Sequence, residues 1–482
     1  MSSFVRSVRP LMVALLVVCS TLLLAQSTTD GAIGGTVYDS NGAVVASAKI
    51  TVRNNGTNAE QSAVTDETGF YRVAKLQPGS YTVTISQQGF APYKAEQVIV
   101  QVGSITDFSP HLAVGSTTEV VNVTAEAPQI NTTSADFAPT LNQTAIENLP
   151  INGGRWSSFA ILTPGVVSDS NGFGLLSFRG ISVLLNNNTV DGADNNQAFF
   201  SEERGRTRAG YSTPQIAVEE FQVNTSNYSS EYGRSAGGVV NTVTKSGTNA
   251  LHGEVDLFDR DNVFGAMNEF TKIATPNPSG GFTQVPYKPT DWRKRVAGQI
   301  GGPAVKDKLF YSMTFDWYDR NFPGTAVASN ASAFFAAPSA SQVSQLATNL
   351  FGASNPTTNA QALNIYNTDL AGLATMLGPV ARDGEQYIIY PKVDWQIDPK
   401  NHLSASFNRM RWESPAGIQT QATNTFGIAS FGNDFVKDTW GVAKLDTFFN
   451  ANLANELRFQ YGRDFEYETP NGPGPSTTVP SG

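Results

Sequence analysis

The chain has 482 residues, of which 40% are hydrophobic and only 15% are charged, with 29 Phe and 15 Tyr beside 43 Gly and 25 Pro. The many aromatic residues and few charges exclude a solvated, disordered chain, and the long polar, Gly-rich stretches exclude a helical membrane protein after residue 25. The formal net charge of −9 excludes the basic surface of a nucleic-acid-binding protein, so no nucleic-acid partner is expected. These features indicate an exported, β-rich protein.

The first segment has the features of an export signal. Arg6 and Arg9 precede the apolar run Leu11–Leu24, and a small residue follows it, so residues 1–25 are predicted to be a cleaved signal peptide. A membrane anchor is the weaker alternative, because the run is too short to span comfortably and no stop-transfer pattern follows. The single cysteine, Cys19, lies in this segment, so no internal disulfide can form.

Short alternating segments separated by turn signals fill residues 30–115 and predict an antiparallel β-sandwich. The pattern GTVYDSNGAVVASAKITV, followed by TDETGFYRVAKLQPGSYTVTISQQGF, resembles the carboxypeptidase regulatory-like domain. The resemblance implies a periplasmic binding or spacer module with a fold similar to carbohydrate-binding sandwiches. The predicted strands begin at Gly31 and continue at Ala48–Arg53, Gln61–Thr65, Gly69–Ala74, Ser80–Gln87 and Gln97–Val102.

The residues do not support an enzyme. A zinc peptidase needs ligands in close spacing, whereas His111, His252 and His402 are far apart and none has a glutamate three residues on. No histidine stands in a motif that activates a nucleophile, and no Gly-rich strand-to-helix element cradles phosphate. We therefore predict no catalytic residue, metal or cofactor. Three polar residues are expected to form turns rather than bind a metal: Asp39, Asn41 and Asp66.

A series of ordered motifs marks residues 116–246. They are LPING at 149–153, SFRGI at 177–181, NNNTVDG at 186–192, VEEFQV at 218–223, and a Tyr- and Gly-rich ending at 228–247. This order resembles the plug domain of TonB-dependent outer-membrane transporters. The plug-motif residues are then Arg179, Gly180, Asp191, Gly192, Tyr232, Gly233, Gly237 and Gly238.

These motif residues are expected to hold the plug together rather than to contact a substrate. Glycines at 233, 237 and 238 allow tight turns and close approach to another backbone. Arg179 can hold a carboxylate in a fork of hydrogen bonds, for which the interface between plug and barrel is the expected place.

A β-prone run at 118–126 precedes the plug motifs. By local sequence, it either pairs with the sheet edge of a partner or pairs within its own domain. By the same resemblance, the run looks like a TonB box, the segment that joins TonB as an added strand, and its residues are Glu119, Val120, Val121, Asn122, Val123, Thr124 and Ala125.

Residues 247–482 have the pattern of a barrel wall. Seven strands are predicted near 250–260, 292–301, 308–319, 385–397, 401–412, 438–449 and 453–467. They alternate an apolar, aromatic-rich face with a polar face, as lipid outside and water inside require. Short connections alternate with long ones at 261–291, 320–384 and 413–437, which is the outer-membrane arrangement.

The segments 299–311 and 455–458 resemble the Oar-like branch of these transporters, which also carries the N-terminal sandwich. The predicted fold is therefore mainly β: a sandwich, an α+β plug, and the first strands of an incomplete transmembrane antiparallel barrel. Barrels of this family need about 22 strands, so we expect the chain to be a C-terminally truncated part of a longer protein.

The resemblance implies import across the outer membrane of a Gram-negative-type bacterium, with the sandwich in the periplasm. The implied partners are TonB with its inner-membrane energising complex, outer-membrane lipid, and an unknown ligand that is a glycan, siderophore or peptide. The alternatives are a non-transporting surface, adhesion or carbohydrate-binding protein, or a soluble periplasmic glycan binder. A basic cluster is expected to be a solvated loop rather than an anion site: Arg204, Arg206 and Arg208.

Overall fold

The computed structural model describes residues 28–115, 121–124, 140–149, 155–168, 175–198, 203–205, 209–277, 281–418, 421–450 and 453–470. The predicted signal peptide lies outside these residues. The chain divides into two compact units, one made of residues 1–55, 60–140 and 227–233, and the other of residues 56–59, 141–226 and 234–482. In the part of the chain that the structure describes, no helix is long and apolar enough to cross a membrane.

The first unit contains the predicted sandwich. Its sheets have the strand orders β5-β1-β8 and β10-β7-β6-β3-β4, with β2 and β9 paired separately. The strands are β1 (Gly31–Thr36), β2 (Tyr38–Asp39), β3 (Lys49–Asn54), β4 (Glu60–Val64), β5 (Phe70–Leu76), β6 (Gly79–Ser86), β7 (Tyr93–Val100), β8 (Ile105–Asp107), β9 (His111–Leu112) and β10 (Val121–Thr124).

Alternation along the strands builds the core of the sandwich. Ile50 and Val52 on β3, and Val83 and Ile85 on β6, are completely buried in one apolar cluster. Because neighbouring positions on each strand point to opposite faces, the residues between them face the other way. The sandwich predicted from the sequence is confirmed.

The turn residues of the sandwich are also confirmed. One carboxylate oxygen of Asp39 accepts the backbone N–H groups of Asn41 and Ala43, both at 2.8 Å. Asp66 does the same for Thr68 at 2.8 Å and Phe70 at 3.0 Å. The Thr68 hydroxyl, with these backbone groups, lowers the pKa of Asp66, because each bond favours the charged form.

One sandwich strand differs from its prediction. The sequence predicts a strand at 97–102, whereas β7 begins at Tyr93 and ends at Val100. Gln97 has a φ of +60°, and the register with β6 shifts on this strand. This bulge leaves Glu96 and Gln97 both exposed, so the alternation that predicts a strand is interrupted.

The second unit begins with a small mixed domain, here called the central domain, whose main sheet has the order β11-β16-β17-β14-β15. β14 runs parallel to β17, and β16 runs antiparallel to it. Its elements are β11 (Thr140–Asn142), α1 (Gln143–Asn148), β12 (Val166–Ser168), β13 (Leu176–Phe178), β14 (Asn187–Val190), β15 (Ala193–Asp194), β16 (Val218–Asn224) and β17 (Val239–Thr244), with 3₁₀ turns at Trp156–Leu162, Val183–Leu185 and Gln215–Ala217.

A large antiparallel sheet, here called the wall, follows in the strand order β18-β21-β22-β23-β24-β26-β27. Its connections carry the remaining elements. In chain order these are β18 (His252–Asp261), a 3₁₀ turn (Asn262–Phe264), β19 (Lys272–Pro276), β20 (Phe282–Pro286), β21 (Trp292–Val305), β22 (Leu309–Ala326), α2 (Ala331–Phe334), α3 (Ala340–Phe351), α4 (Pro356–Ala374), β23 (Gly378–Asp398), β24 (Asn401–Ser414), β25 (Thr423–Asn424), a 3₁₀ turn (Ile428–Ser430), β26 (Asn433–Asn450) and β27 (Leu453–Thr469).

The two faces of the wall have the predicted chemistry. On β22, Met313 and Phe315 are 39% and 46% exposed, whereas Ser312, Thr314 and Asp316 are buried on the opposite face. β27 continues the pattern, with Leu457, Phe459 and Tyr461 all outward and exposed. The outward face is therefore apolar and the inward face polar, as a wall between lipid and water requires.

The wall strands are longer than predicted. Pro323 and Gly324 look like strand breakers in the sequence, yet they pair with Ala381 and Val380 of the next strand. The long connection predicted at 320–384 therefore shortens to 327–377. It contains α3, which begins with a capping box at Ser339 and ends at a left-handed Gly352.

Candidate functional site

The carboxylate of Asp191 joins the central domain to the wall. Asp191 and Gly192 form a tight turn after β14, with φ values of +49° and +71°. The carboxylate accepts the N–H of Thr244 at 2.9 Å and its hydroxyl at 2.6 Å, which fixes the end of β17. From the wall, the Tyr390 hydroxyl donates to it at 2.9 Å, and the Lys392 ammonium lies 3.5 Å away.

This arrangement compensates for burying a charge. Asp191 is only 9% exposed, so an unpartnered carboxylate here would be costly. Lys392 balances its charge and also donates to the Thr244 carbonyl at 2.9 Å. A backbone N–H and two hydroxyls complete the set, and charge-assisted bonds of this kind are the stronger ones.

Tyr211 forms a second polar connection to the wall. Its hydroxyl donates to Asp316 on β22 at 2.5 Å, and both side chains are buried. Burial raises the pKa of Tyr211 well above its ordinary value, and the nearby Asp316 carboxylate raises it further. Beside it, the Gln386 side chain accepts from the N–H of Gly210 and donates to the carbonyl of Tyr211, both at 2.8 Å.

Strand β27 forms a third connection. Arg458 donates to the Gly192 carbonyl at 3.0 Å. A Cβ on Gly192 would lie 2.0 Å from this guanidinium and would displace it, and the φ of +71° favours glycine at this position. Gln460 bonds both the N–H and the carbonyl of Asp194, each at 2.8 Å.

The position of Arg204 corrects the interpretation of the basic cluster as a solvated loop. The sequence favoured a solvated loop, but this side chain is only 13% exposed and lies 3.5 Å from the buried Asp438 of β26. The acid it meets is distant in sequence, so local charge counting could not find the pair. Arg206 and Arg208 lie outside the described residues.

The predicted plug glycines differ in their surroundings. A Cβ on Gly237 would lie 2.3 Å from the Asn186 amide oxygen, and one on Gly238 would lie 2.1 Å from the Phe178 ring. Close approach therefore requires glycine at both positions, although their neighbours are side chains rather than backbone. At Gly233 a Cβ would meet nothing within 4 Å, so close approach does not require glycine there, and its role in a tight turn stays a prediction.

Arg179 and Gly180 form a left-handed turn with φ values of +53° and +79°. The Arg179 N–H donates to the Gly165 carbonyl at 2.7 Å, and its side chain is exposed. Its bond to a carboxylate at the interface stays a prediction. In the first unit, Tyr232 packs edge-on against Tyr228 with ring centroids 6.5 Å apart.

The described part of the predicted TonB box is β10. It lies parallel to β7, with Val121 opposite Tyr93 and Thr124 opposite Glu96. The sequence left two alternatives for this run, pairing with a partner or pairing within its own domain. In the structure, β10 pairs within its own domain. Three box residues lie outside the described residues: Glu119, Val120 and Ala125.

Sequence reasoning did not single out the wall residues that hold the central domain. They share one property, which is an inward position on a strand with an apolar outer face. That alternation was visible in the sequence, but the partner of each residue was not. The residues are Asp316, Gln386, Tyr390, Lys392, Asn408, Asp438, Arg458 and Gln460.

A cavity of about 660 Å³ lies between the central domain and the first wall strands. Lys245 bridges Glu254 and, at 3.8 Å, Glu147, while Arg295 pairs with Asp256. Charged pairs of both signs therefore line part of the cavity, beside apolar side chains such as Ile146, Ile216 and Val218.

Comparisons with known proteins match two domains of the chain and one relative. The carboxypeptidase regulatory-like domain family matches residues 32–113, and the outer membrane β-barrel domain family matches residues 243–481. The TonB-dependent transporter Oar of Myxococcus xanthus is 30% identical over 314 residues, which is 60% of this chain. This chain spans 27% of the length of that relative.

Solved structures of outer-membrane receptors were also matched. A mutant ferric enterobactin receptor from Pseudomonas aeruginosa is 15% identical with a TM-score of 0.43, over 70% of this chain and 42% of that one. The outer membrane transporter YddB from Escherichia coli is 12% identical with a TM-score of 0.44, over 69% of this chain and 41% of that one.

By these family matches, the chain has a carboxypeptidase regulatory-like domain at residues 32–113 and an outer membrane β-barrel domain at residues 243–481. More particularly, over 314 residues it is a homologue of the TonB-dependent transporter Oar of Myxococcus xanthus.

Proposed function

We propose that the chain works in TonB-dependent import, with the central domain as a plug that the wall holds in place. TonB would bind at residues 119–125 and, when energised from the inner membrane, move the plug so that a ligand passes. The sandwich would lie in the periplasm as a binding or spacer module. Similarity to a TonB-dependent transporter supports this role, which requires no covalent chemistry.

The observation that carries the proposal is the polar contact between central domain and wall. Asp191 with Lys392, Tyr211 with Asp316, and the carbonyl of Gly192 with Arg458 join the two through hydrogen bonds and ion pairs. Water can replace these polar partners when the domain moves. Moving it would also expose the apolar contacts that Tyr390, Trp440 and Val442 make with the central domain, and we propose that the energised TonB supplies the work for this step.

The long connections supply the proposed place of ligand capture. Among their described residues, Phe264, Phe270 and Phe426 are 88%, 84% and 79% exposed. Exposed aromatic rings offer stacking surfaces for sugar or aromatic ligands. We propose a glycan, siderophore or peptide as the imported ligand.

The test replaces residues 119–125 with a Gly-Ser segment of equal length in the full chain. Binding of the TonB C-terminal domain should fall at least tenfold, because the segment loses its β-prone residues. The same replacement at residues 131–137 is the matched control and should leave binding unchanged. Equal binding by both variants and the unaltered chain would refute the box assignment.

A further inference from the structure

β10 has an unusual place in the sandwich. It ends the sheet order β10-β7-β6-β3-β4, so its pairing with β7 uses only one of its two edges. Among the described residues, no strand pairs with the other edge. In an extended strand, successive residues direct their backbone groups to opposite edges. The four residues of β10 therefore keep about half of these groups available for a second strand.

Apart from the shortness of β10, this edge lacks the features that protect sheet edges. Natural edges carry Lys, Pro, inward charges or bulges that prevent pairing with another chain. Val121, Asn122, Val123 and Thr124 include three β-branched residues, with no charge and no proline. The opposite edge differs, because β4 begins with Glu60, which lies 3.9 Å from Arg53.

We propose that the sandwich presents residues 121–124 as an edge strand to which the TonB sheet adds, so that the sandwich, β10 and TonB form one continuous sheet. This inference rests on the proposed function, in which residues 119–125 are the TonB box. A flexible segment must lose backbone entropy when it is fixed as a strand. Pairing with β7 fixes β10 before TonB arrives, so binding is favoured by preorganisation.

The experiment locks β10 onto β7. Asn122 lies opposite Lys94, and neighbouring strands are about 4.8 Å apart, within the Cα range of a disulfide. Lys94→Cys with Asn122→Cys is made in the full chain, together with Cys19→Ser, so that the engineered pair holds the only cysteines. A second pair, Glu96→Cys with Thr124→Cys, lies in the same register and provides an independent lock.

Both pairs should cross-link on oxidation. The oxidised protein should bind the TonB C-terminal domain with a Kd equal to, or up to several-fold lower than, that of the dithiothreitol-reduced protein. The single-cysteine variants should not respond to oxidation. A tenfold loss of affinity on oxidation, restored by reduction, would overturn the proposal, because the sandwich would then withhold the box from TonB. Failure of both pairs to cross-link would also overturn it.

The Gly-Ser replacement of residues 119–125 distinguishes failure of the proposed function from failure of the present inference. Retained TonB binding in that variant would refute the box itself, and with it the proposed function. Suppose that TonB binding is lost both in that variant and in the cross-linked protein. This result would support the assignment of residues 119–125 as the TonB box and refute only their presentation by the sandwich.

Discussion

The sandwich and the central domain are of similar size but are stabilised differently. The core of the sandwich is one apolar cluster drawn entirely from its own residues. The apolar cluster of the central domain includes three wall residues, Tyr390, Trp440 and Val442. Its buried polar residues are numerous, among them Asn187, Asn188, Thr189, Asp191, Asn195, Asn196, Ser212 and Thr213.

The difference shows which region can stand alone. A core made of a domain's own apolar side chains gives it stability that does not depend on other parts. A domain with many buried polar groups needs partners for them, since each unpaired group costs about 1–3 kcal/mol. The wall supplies several of these partners, so the order of the central domain depends on the wall.

The substitution with the largest expected effect on stability removes the Asp191 carboxylate, which joins the central domain to the wall. Asp191→Ala leaves the buried Lys392 without its carboxylate, and removing one partner of a buried pair costs about 3–5 kcal/mol. The central domain should become sensitive to protease, and the unfolding temperature of the detergent-solubilised protein should fall. Glu60→Ala is the control, because its pair with Arg53 is at least half exposed on both sides and is worth less than about 1 kcal/mol. Equal effects of the two variants would contradict the special role of Asp191.

A substitution in the sandwich tests the other half of the comparison. Ile85→Ala removes a fully buried side chain, which costs about 3 kcal/mol through lost burial and the cavity left behind. Hydrogen exchange should increase across the sandwich strands and stay unchanged in the central domain. Val64→Ala, at a 58% exposed position of the same sandwich, is the control and should change little. Increased exchange in both regions would show that they unfold together.

The smallest expected effect is the pH dependence of the stability that the Asp66 carboxylate contributes to its turn. The lowered pKa of Asp66 means that its carboxylate stabilises the fold above its unfolded pKa of about 3.9 and loses this contribution as pH falls through the folded value. Asp66→Asn should therefore lower the unfolding temperature of the sandwich at pH 7, and the difference from the unaltered chain should shrink towards pH 3. A difference that stays constant with pH would show that charge is not involved.

The sequence predicted the fold well where patterns are local. The alternation of Ser312, Thr314 and Asp316 with Met313 and Phe315 gave the inward and outward faces of β22 correctly. The Asp39 and Asp66 turns followed from side chains that bond their own loops. The bulge at Gln97 interrupted a local pattern, and the prediction there was accordingly displaced.

The contacts of the site were less predictable because they join distant parts of the chain. Asp191 was identified through its motif, but Tyr390 and Lys392 lie about two hundred residues further on, and no spacing rule connects them. Arg204 seemed solvated for the same reason, since Asp438 becomes its neighbour only when the wall packs against the central domain. Residue types and faces could be predicted, whereas pairings required the fold.

The parallel pairing of β10 with β7 has a mechanical consequence. A force along the axis of β10 loads all hydrogen bonds of this short ladder together, in shear, whereas a force across the strand breaks them one after another. Because β10 pairs with β7 at only four positions, a small force across the strand is enough to separate them. The direction of a pull on this segment therefore decides whether the sandwich moves with the strand or lets it go.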